Sequence, residues 1–314
     1  MKPFDVFVKT MKFCWLKLAC KAANFVISIL TFLLLVMLIG TRVGGTGLAL
    51  CIILWLALIR VTDFLINKYF GYLIRAGHIA VVVKAFTAGE LPADQFAYAT
   101  ETVKRRFAVT NVFFVIDRLV DRAVRQIQRM VNTVGLLIAK LPGGKQIMQF
   151  VNLFIEVAFG SVDECVLGWV FYKEELGAFH GACDGIVLFF QNFKALMLRA
   201  LKTTAIIMGV MALIVIVPVL IAFGSDSVLA IVITLYVAVA LCNMIKVSFI
   251  DSYTFIAMMG RYLELATEQV PSISLYDKCC NWSNKFRELV SKRDEEGAAA
   301  PAYAYVNDNQ GQQL

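Results

Sequence analysis

Residues 203–225 run for 23 positions without a charged side chain, and after Asp226 another 19 follow at 227–245. The hydrocarbon layer of a bilayer is about 30 Å thick, and about 20 helical residues cross it. Two earlier stretches meet the same requirement: 22–41, uncharged between Lys21 and Arg42, and 46–66, broken only by Arg60 and Asp63. Hydrocarbon offers backbone N–H and C=O groups no partners, so each run must satisfy its own as a helix. The pattern predicts an all-α, polytopic integral membrane protein with spans at 22–41, 46–66, 203–225 and 227–249. The spans pair into two hairpins, turning at Gly44-Gly45-Thr46-Gly47 and at Gly224-Ser225-Asp226-Ser227, and Pro218 kinks the third. Composition agrees. The chain is 60% apolar and 17% charged, with a mean hydropathy of +0.73, whereas a soluble domain is about 25% charged. A disordered chain, a basic nucleic-acid-binding domain and an ordinary cytosolic enzyme are excluded.

Orientation follows from lysine and arginine, which concentrate on the cytoplasmic side. Lys2, Lys9, Lys12, Lys17 and Lys21 precede the first span, and residues 60–145 hold thirteen basic against six acidic side chains. Lys194, Arg199 and Lys202 precede the third span, Lys246 follows the last uncharged run, and the turn at 224–227 has no basic residue. Both termini and the 60–145 block are therefore expected to be cytoplasmic, in a cell membrane. The net charge of +7 is accounted for by these loops, so no nucleic-acid partner is expected.

Residues 117–138 read as a basic amphipathic helix. Arg118, Arg122, Arg125 and Arg129 are spaced four, three and four apart and share one face, while Leu119, Val120, Ala123, Val124, Ile127, Met130, Val131 and Val134 fill the other. Such a helix either lies in the membrane interface with its arginines on anionic lipid head groups or packs its apolar face on a sister helix. The tail from Ser291 to Leu314 lacks an apolar period and is expected to be disordered. The eight cysteines contain no Cys-x-x-Cys pair, so neither a structural metal nor a cofactor is expected.

Residues 146–193 are apolar but interrupted. Between Lys145 and Lys173 the only charges are Glu156, Asp163 and Glu164, and His180 and Asp184 follow, four apart. The block either crosses the membrane twice or re-enters as a pair of short helices. Carboxylates at membrane depth face a bundle interior or a water-filled cavity. Glu156, Asp163, Glu164 and Asp184 are therefore the candidate substrate or ion path, with Trp169 and Tyr172 as aromatic faces suited to a cationic solute. The alternative is a shallow segment whose acids reach water.

The same block carries Phe179-x-x-Ala182-x-x-Gly185-Ile186-x-Leu188-x-x-x-Asn192. This line resembles the F-x-x-A-x-x-A-F-x-L-x-x-x-N line of the choline transporter-like family of multi-span membrane proteins. A basic amphipathic stretch precedes it and a hydrophobic hairpin follows it, so the resemblance covers roughly 117–250. Family members are longer, and this chain has the counterpart of their C-terminal half. Ser161-Val162-Asp163-Glu164-Cys165 stands where the family has Asn-Arg-Asn-Ala-Tyr. The resemblance implies transport of choline or a similar small cation, with homo-oligomers rebuilding a full pathway. The expected function is a transporter or channel-like permease for a small solute. The alternative is a membrane scaffold that binds anionic lipid or partner proteins without transporting. An enzyme is not expected, because the chain has no His-Glu-x-x-His, nucleophile elbow or Walker loop.

Overall fold

The computed structural model describes residues 1–40, 45–66, 71–106, 110–139, 159–200 and 228–296, with a few single positions between 202 and 216. Every regular element among them is helical. In chain order these are α1 (Pro3–Lys9), α2 (Met11–Leu35), α3 (Gly45–Ile66), α4 (Tyr72–Thr87), α5 (Gln95–Arg106), α6 (Thr110–Ala139), α7 (Val162–Tyr172) and α8 (Ala178–Gln191). They continue with α9 (Val228–Ile245), α10 (Asp251–Ala266), α11 (Ile273–Trp282) and α12 (Asn284–Glu296). Contacts divide the chain into two units, a hairpin unit (9–76 and 208–252) and a helical body (1–8, 77–207 and 253–314).

In the hairpin unit, α2 and α3 run antiparallel, as the register of their polar contacts shows. Lys21 and Asn24 both reach Asp63 Oδ1, at 3.3 and 2.9 Å. One turn further along α2, Trp55 Nε1 donates to the Ser28 carbonyl at 2.8 Å. Cys51 Sγ donates to the Leu35 carbonyl at 3.3 Å. Partner numbers fall along α3 as they rise along α2. Between these contacts large apolar side chains point outward, Met37 at 73% and Ile53 at 64% exposed. Water tolerates such a contiguous apolar surface poorly. Among the described residues, two helices, Met11–Ile39 and Val237–Ala266, are long and apolar enough to cross a membrane. The expected spans 22–41 and 46–66 fall on α2 and α3, and 227–249 falls on α9 and the π-helical turn Lys246–Ile250. Most of the expected span 203–225 lies outside the described residues.

The helical body is assembled around α8, which packs against α6, α7, α11 and α12. Its closest neighbour is α7, because Gly181 and Gly185, four apart, present no side chain there. A Cβ on Gly185 would lie 3.2 Å from Val166 Cα, and one on Gly181 would lie 3.4 Å from Val170 Cγ2. Small residues at this spacing let two helix backbones approach. On α6, Ile116, Leu119, Val120, Ala123, Val124 and Ile127 are buried, and α6 packs on α7, α8, α11 and α12. Its Arg118, Arg122, Arg125 and Arg129 are exposed. The apolar face is thus taken up by neighbouring helices, the second of the two arrangements open to an amphipathic helix of this kind. Gln126 Oε1 accepts from Ser283 Oγ at 2.7 Å and from the Lys285 amide at 3.1 Å, fixing the α11–α12 joint on α6.

At 146–193 the structure bears on the two arrangements left open, and at Ser291 an expectation changes. The α7 and α8 helices have 11 and 14 residues, so at 1.5 Å per residue they are about 17 and 21 Å long. That is short of a bilayer's hydrocarbon layer. The described part of 146–193 is a short antiparallel pair inside the body, and 146–158 lies outside the described residues. The expected disorder from Ser291 is corrected as well, since α12 continues to Glu296. Its last turn is held by Arg293 and Glu296, which bond to other helices of the body. Residues 297–314 lie outside the described ones.

The glycine contact yields a ranking. Alanine is favoured over glycine in a helix by about 1 kcal/mol, but at Gly185 the added carbon meets backbone, and overpacking costs about 1–3 kcal/mol. Gly185→Ala is expected to lower stability by about 1–2 kcal/mol in denaturant titration, while Gly181→Ala is neutral or stabilising. Equal effects at both positions would contradict the close approach at Gly185.

Candidate functional site

Asp184 is the polar centre of the body. It lies mid-way along α8, is 1% exposed, and is surrounded by three helices. His180, one turn earlier on the same face, brings Nε2 to 3.5 Å from Asp184 Oδ2. From α11, Tyr276 Oη donates to Asp184 Oδ1 at 3.4 Å. From α12, Arg293 Nη1 donates to Tyr276 Oη at 3.1 Å. The Arg293 guanidinium also stands 5.3 Å from the centre of the Tyr276 ring, within cation–π range. The relay Asp184–Tyr276–Arg293 therefore stitches three helices together through one hydroxyl.

Burial raises the Asp184 carboxyl to about 7, with the Tyr276 hydroxyl, Arg293 and Lys173 opposing it. Burial, reinforced by Arg293, lowers the His180 imidazole below its ordinary value. Burial also pushes up the Cys183 thiol beside them. Both His180 and Asp184 are thus driven toward their neutral forms. The cluster can hold or release a proton at Asp184 near neutrality.

Both ends of the loop joining α7 to α8 are capped by charged side chains from distant sequence. Glu296 Oε1 accepts from the Ala178 amide at 2.8 Å, and Oε2 accepts from Phe179 and His180 at 2.9 and 3.3 Å. These are orphan N–H groups of the first turn of α8, where a carboxylate is favoured. At the other end, Arg106 donates to the carbonyls of Val170, Lys173, Glu174 and Leu176 at 2.7–3.1 Å. Next to it, Arg105 pairs with the Glu174 side chain at 2.7 Å.

Of the residues expected to form a solute path, five lie among the described residues. Glu156 lies outside the described residues. Asp163 and Glu164 occupy the first turn of α7, where the helix dipole favours carboxylates. Asp184 is bonded inside the packed body. Trp169 and Tyr172 do form an aromatic pair, with ring centres 5.5 Å apart. Lys173 Nζ lies 5.6 and 5.3 Å from their two centres, so the chain's own ammonium covers those faces. Tyr276, Arg293, Glu296 and Arg106 were not legible as site residues. The partners of Tyr276, Glu296 and Arg106 lie 64 to 118 residues away and that of Arg293 lies 17 away, beyond any local spacing signal. The one local sign was the four-residue spacing of His180 and Asp184.

The line Phe179 to Asn192 acquires a physical reading. Ala182, Gly185, Ile186 and Leu188 lie on buried faces of α8, and Asn192 exchanges hydrogen bonds with the Gln269 side chain at 2.7 and 3.2 Å. These residues pack the body. No family model matches the chain, and neither a curated protein nor a solved structure is found to be similar.

The pH dependence carries a definite sign. The Asp184 carboxyl is raised from 3.8 to about 7, so the folded state holds a proton that the unfolded chain releases. The Asp184 contribution to stability is therefore full below about pH 4 and falls as pH rises to about 7. Asp184→Asn is expected to flatten this fall and to raise the melting temperature at pH 8 by several degrees, read by thermal unfolding across pH. An unchanged profile would remove Asp184 as its source. Separately, Glu296→Ala strands three amides and is expected to cost about 1–2 kcal/mol in chemical denaturation. A loss within error of zero would mean that the cap contributes nothing.

Proposed function

We propose that this is a multi-pass membrane protein whose helical body lies at the cytoplasmic membrane surface and binds anionic lipid head groups through α6, without transporting a solute. The carrying observation is the geometry of α6. Its apolar face is spent on packing inside the body, so four arginines on one face are held outward. The outward apolar side chains of α2 and α3 support a membrane anchor, with the four spans and the inside orientation as read from charge. Anionic lipids concentrate in the cytoplasmic leaflet, and each arginine near such a surface contributes about 1 kcal/mol.

In nanodiscs, hydrogen exchange over residues 117–130 is expected to slow several-fold when an anionic lipid is added to a zwitterionic one. The protection should vanish at high salt and in a variant with Arg118, Arg122, Arg125 and Arg129 all replaced by Gln. Protection that survives this replacement would rule out the arginine face as the binding surface.

Transport of a choline-like cation by oligomers is not needed for this reading, but one observation favours keeping it as a second. The Trp169–Tyr172 pair already holds an ammonium, that of Lys173, in cation–π geometry. On that reading, purified protein in liposomes takes up choline above empty vesicles. Absence of uptake and of binding at millimolar choline would eliminate it.

A further inference from the structure

The helical body contains a cavity of about 520 Å³, lined in part by Phe86, Tyr172, Arg199, Gly260, Arg261 and Glu264. This volume is within the range of small-molecule sites, about 300–1,000 Å³. Two arginines and one glutamate are among the residues that line it, and the arginines are differently committed. Arg261 pairs with Glu264 at 2.8 Å, and the Glu264 side chain is 65% exposed, so this pair belongs to the rim. Arg199 is part-buried; its Nε lies beneath the surface rather than on the cavity wall, and no hydrogen-bond acceptor among the described residues meets it. A charged donor withdrawn from water without an acceptor is costly, and native structures rarely keep one without a reason.

We infer that this cavity binds a phosphate group carried by a small ester, with Arg199 as its main anchor and Arg261 as its second contact. A phosphate monoester presents three acceptor oxygens that two guanidinium forks can share, whereas one fork already engages both oxygens of a carboxylate. The cavity is larger than phosphate alone, leaving room for the ester's body beside Phe86 and Tyr172. Gly260 keeps that room open: a Cβ there would lie 2.8 Å from the Phe86 ring and drive it aside. The same headgroup chemistry is offered by a soluble sugar or glycerol phosphate and by phosphatidic acid in a membrane. The site is independent of the arginine face of α6.

The test is calorimetric titration of the purified full chain in detergent with inorganic phosphate, glycerol 3-phosphate and short-chain phosphatidic acid. At least one probe is expected to bind saturably. Affinity should fall about tenfold or more in Arg199→Gln and be partly restored in Arg199→Lys; for the soluble esters it should be unchanged when the four α6 arginines are Gln, and phosphatidic acid is titrated in that four-Gln background so that only the cavity is read. Saturation by the soluble esters identifies a metabolite site, and saturation by phosphatidic acid alone identifies a lipid head group. Because Arg199 Nε has no acceptor to lose, Arg199→Gln should melt no lower than the parent without ligand, which separates lost binding from lost folding. No saturable binding of any probe, or equal affinity in Arg199→Gln, overturns the assignment.

Discussion

The contact between α7 and α8 is the constraint from which the helical body is built. Gly181 and Gly185 let the two backbones meet with Val166 and Val170 between them, and that approach determines what else α8 can touch. With one side closed by α7, the remaining sides accept α6, α11 and α12. Asp184, on the same turn as Gly185, is thereby carried into the interior. The body then has to solve the problem of a buried carboxylate. It does so with one tyrosine hydroxyl, shared between Asp184 and the Arg293 guanidinium, and with a carboxyl pKa close to neutrality.

The polar contacts of the body are concentrated where helices end. Glu296 closes the amide end of α8, Arg106 gathers the carbonyls of the α7–α8 loop, and Ser283 starts α12 while bonding Gln126. Helix ends carry the unsatisfied backbone groups of an all-helical body, so charged side chains contribute most there. This is also why the last turn of α12, with its run of charges, is ordered: its Arg293 and Glu296 have partners on α11 and α8.

Much of the architecture was legible because long uncharged runs and helical periodicity both leave local marks. Uncharged runs located α2, α3 and α9, and the spacing of Arg118, Arg122, Arg125 and Arg129 located α6 and its exposed face. The face opposite was read as lipid-facing in preference to helix-facing because the flanking chain is so apolar, although an apolar stripe looks the same to either partner. The interrupted block was harder. Asp163 and Glu164 looked like acids at membrane depth, yet they begin a helix of 11 residues. Asp184 was singled out, but its partners come from α11 and α12, and only the tertiary fold brings Tyr276 and Arg293 to it. Gly181 and Gly185 stood in the sequence at a helix-packing spacing, and their meaning depends on which helix lies opposite.

Taken together, these features divide the labour of the chain. The hairpin unit exposes apolar surface suited to lipid, and the helical body spends its apolar residues internally while presenting arginines. The most direct test is photo-crosslinking from a photoreactive residue at position 122 of the full chain, reconstituted in membranes containing an anionic phospholipid, with adducts identified by mass. Anionic phospholipid adducts at 122, and none from the buried position 123, are the predicted result. Adducts confined to solvent or protein at 122 would contradict a lipid-facing α6.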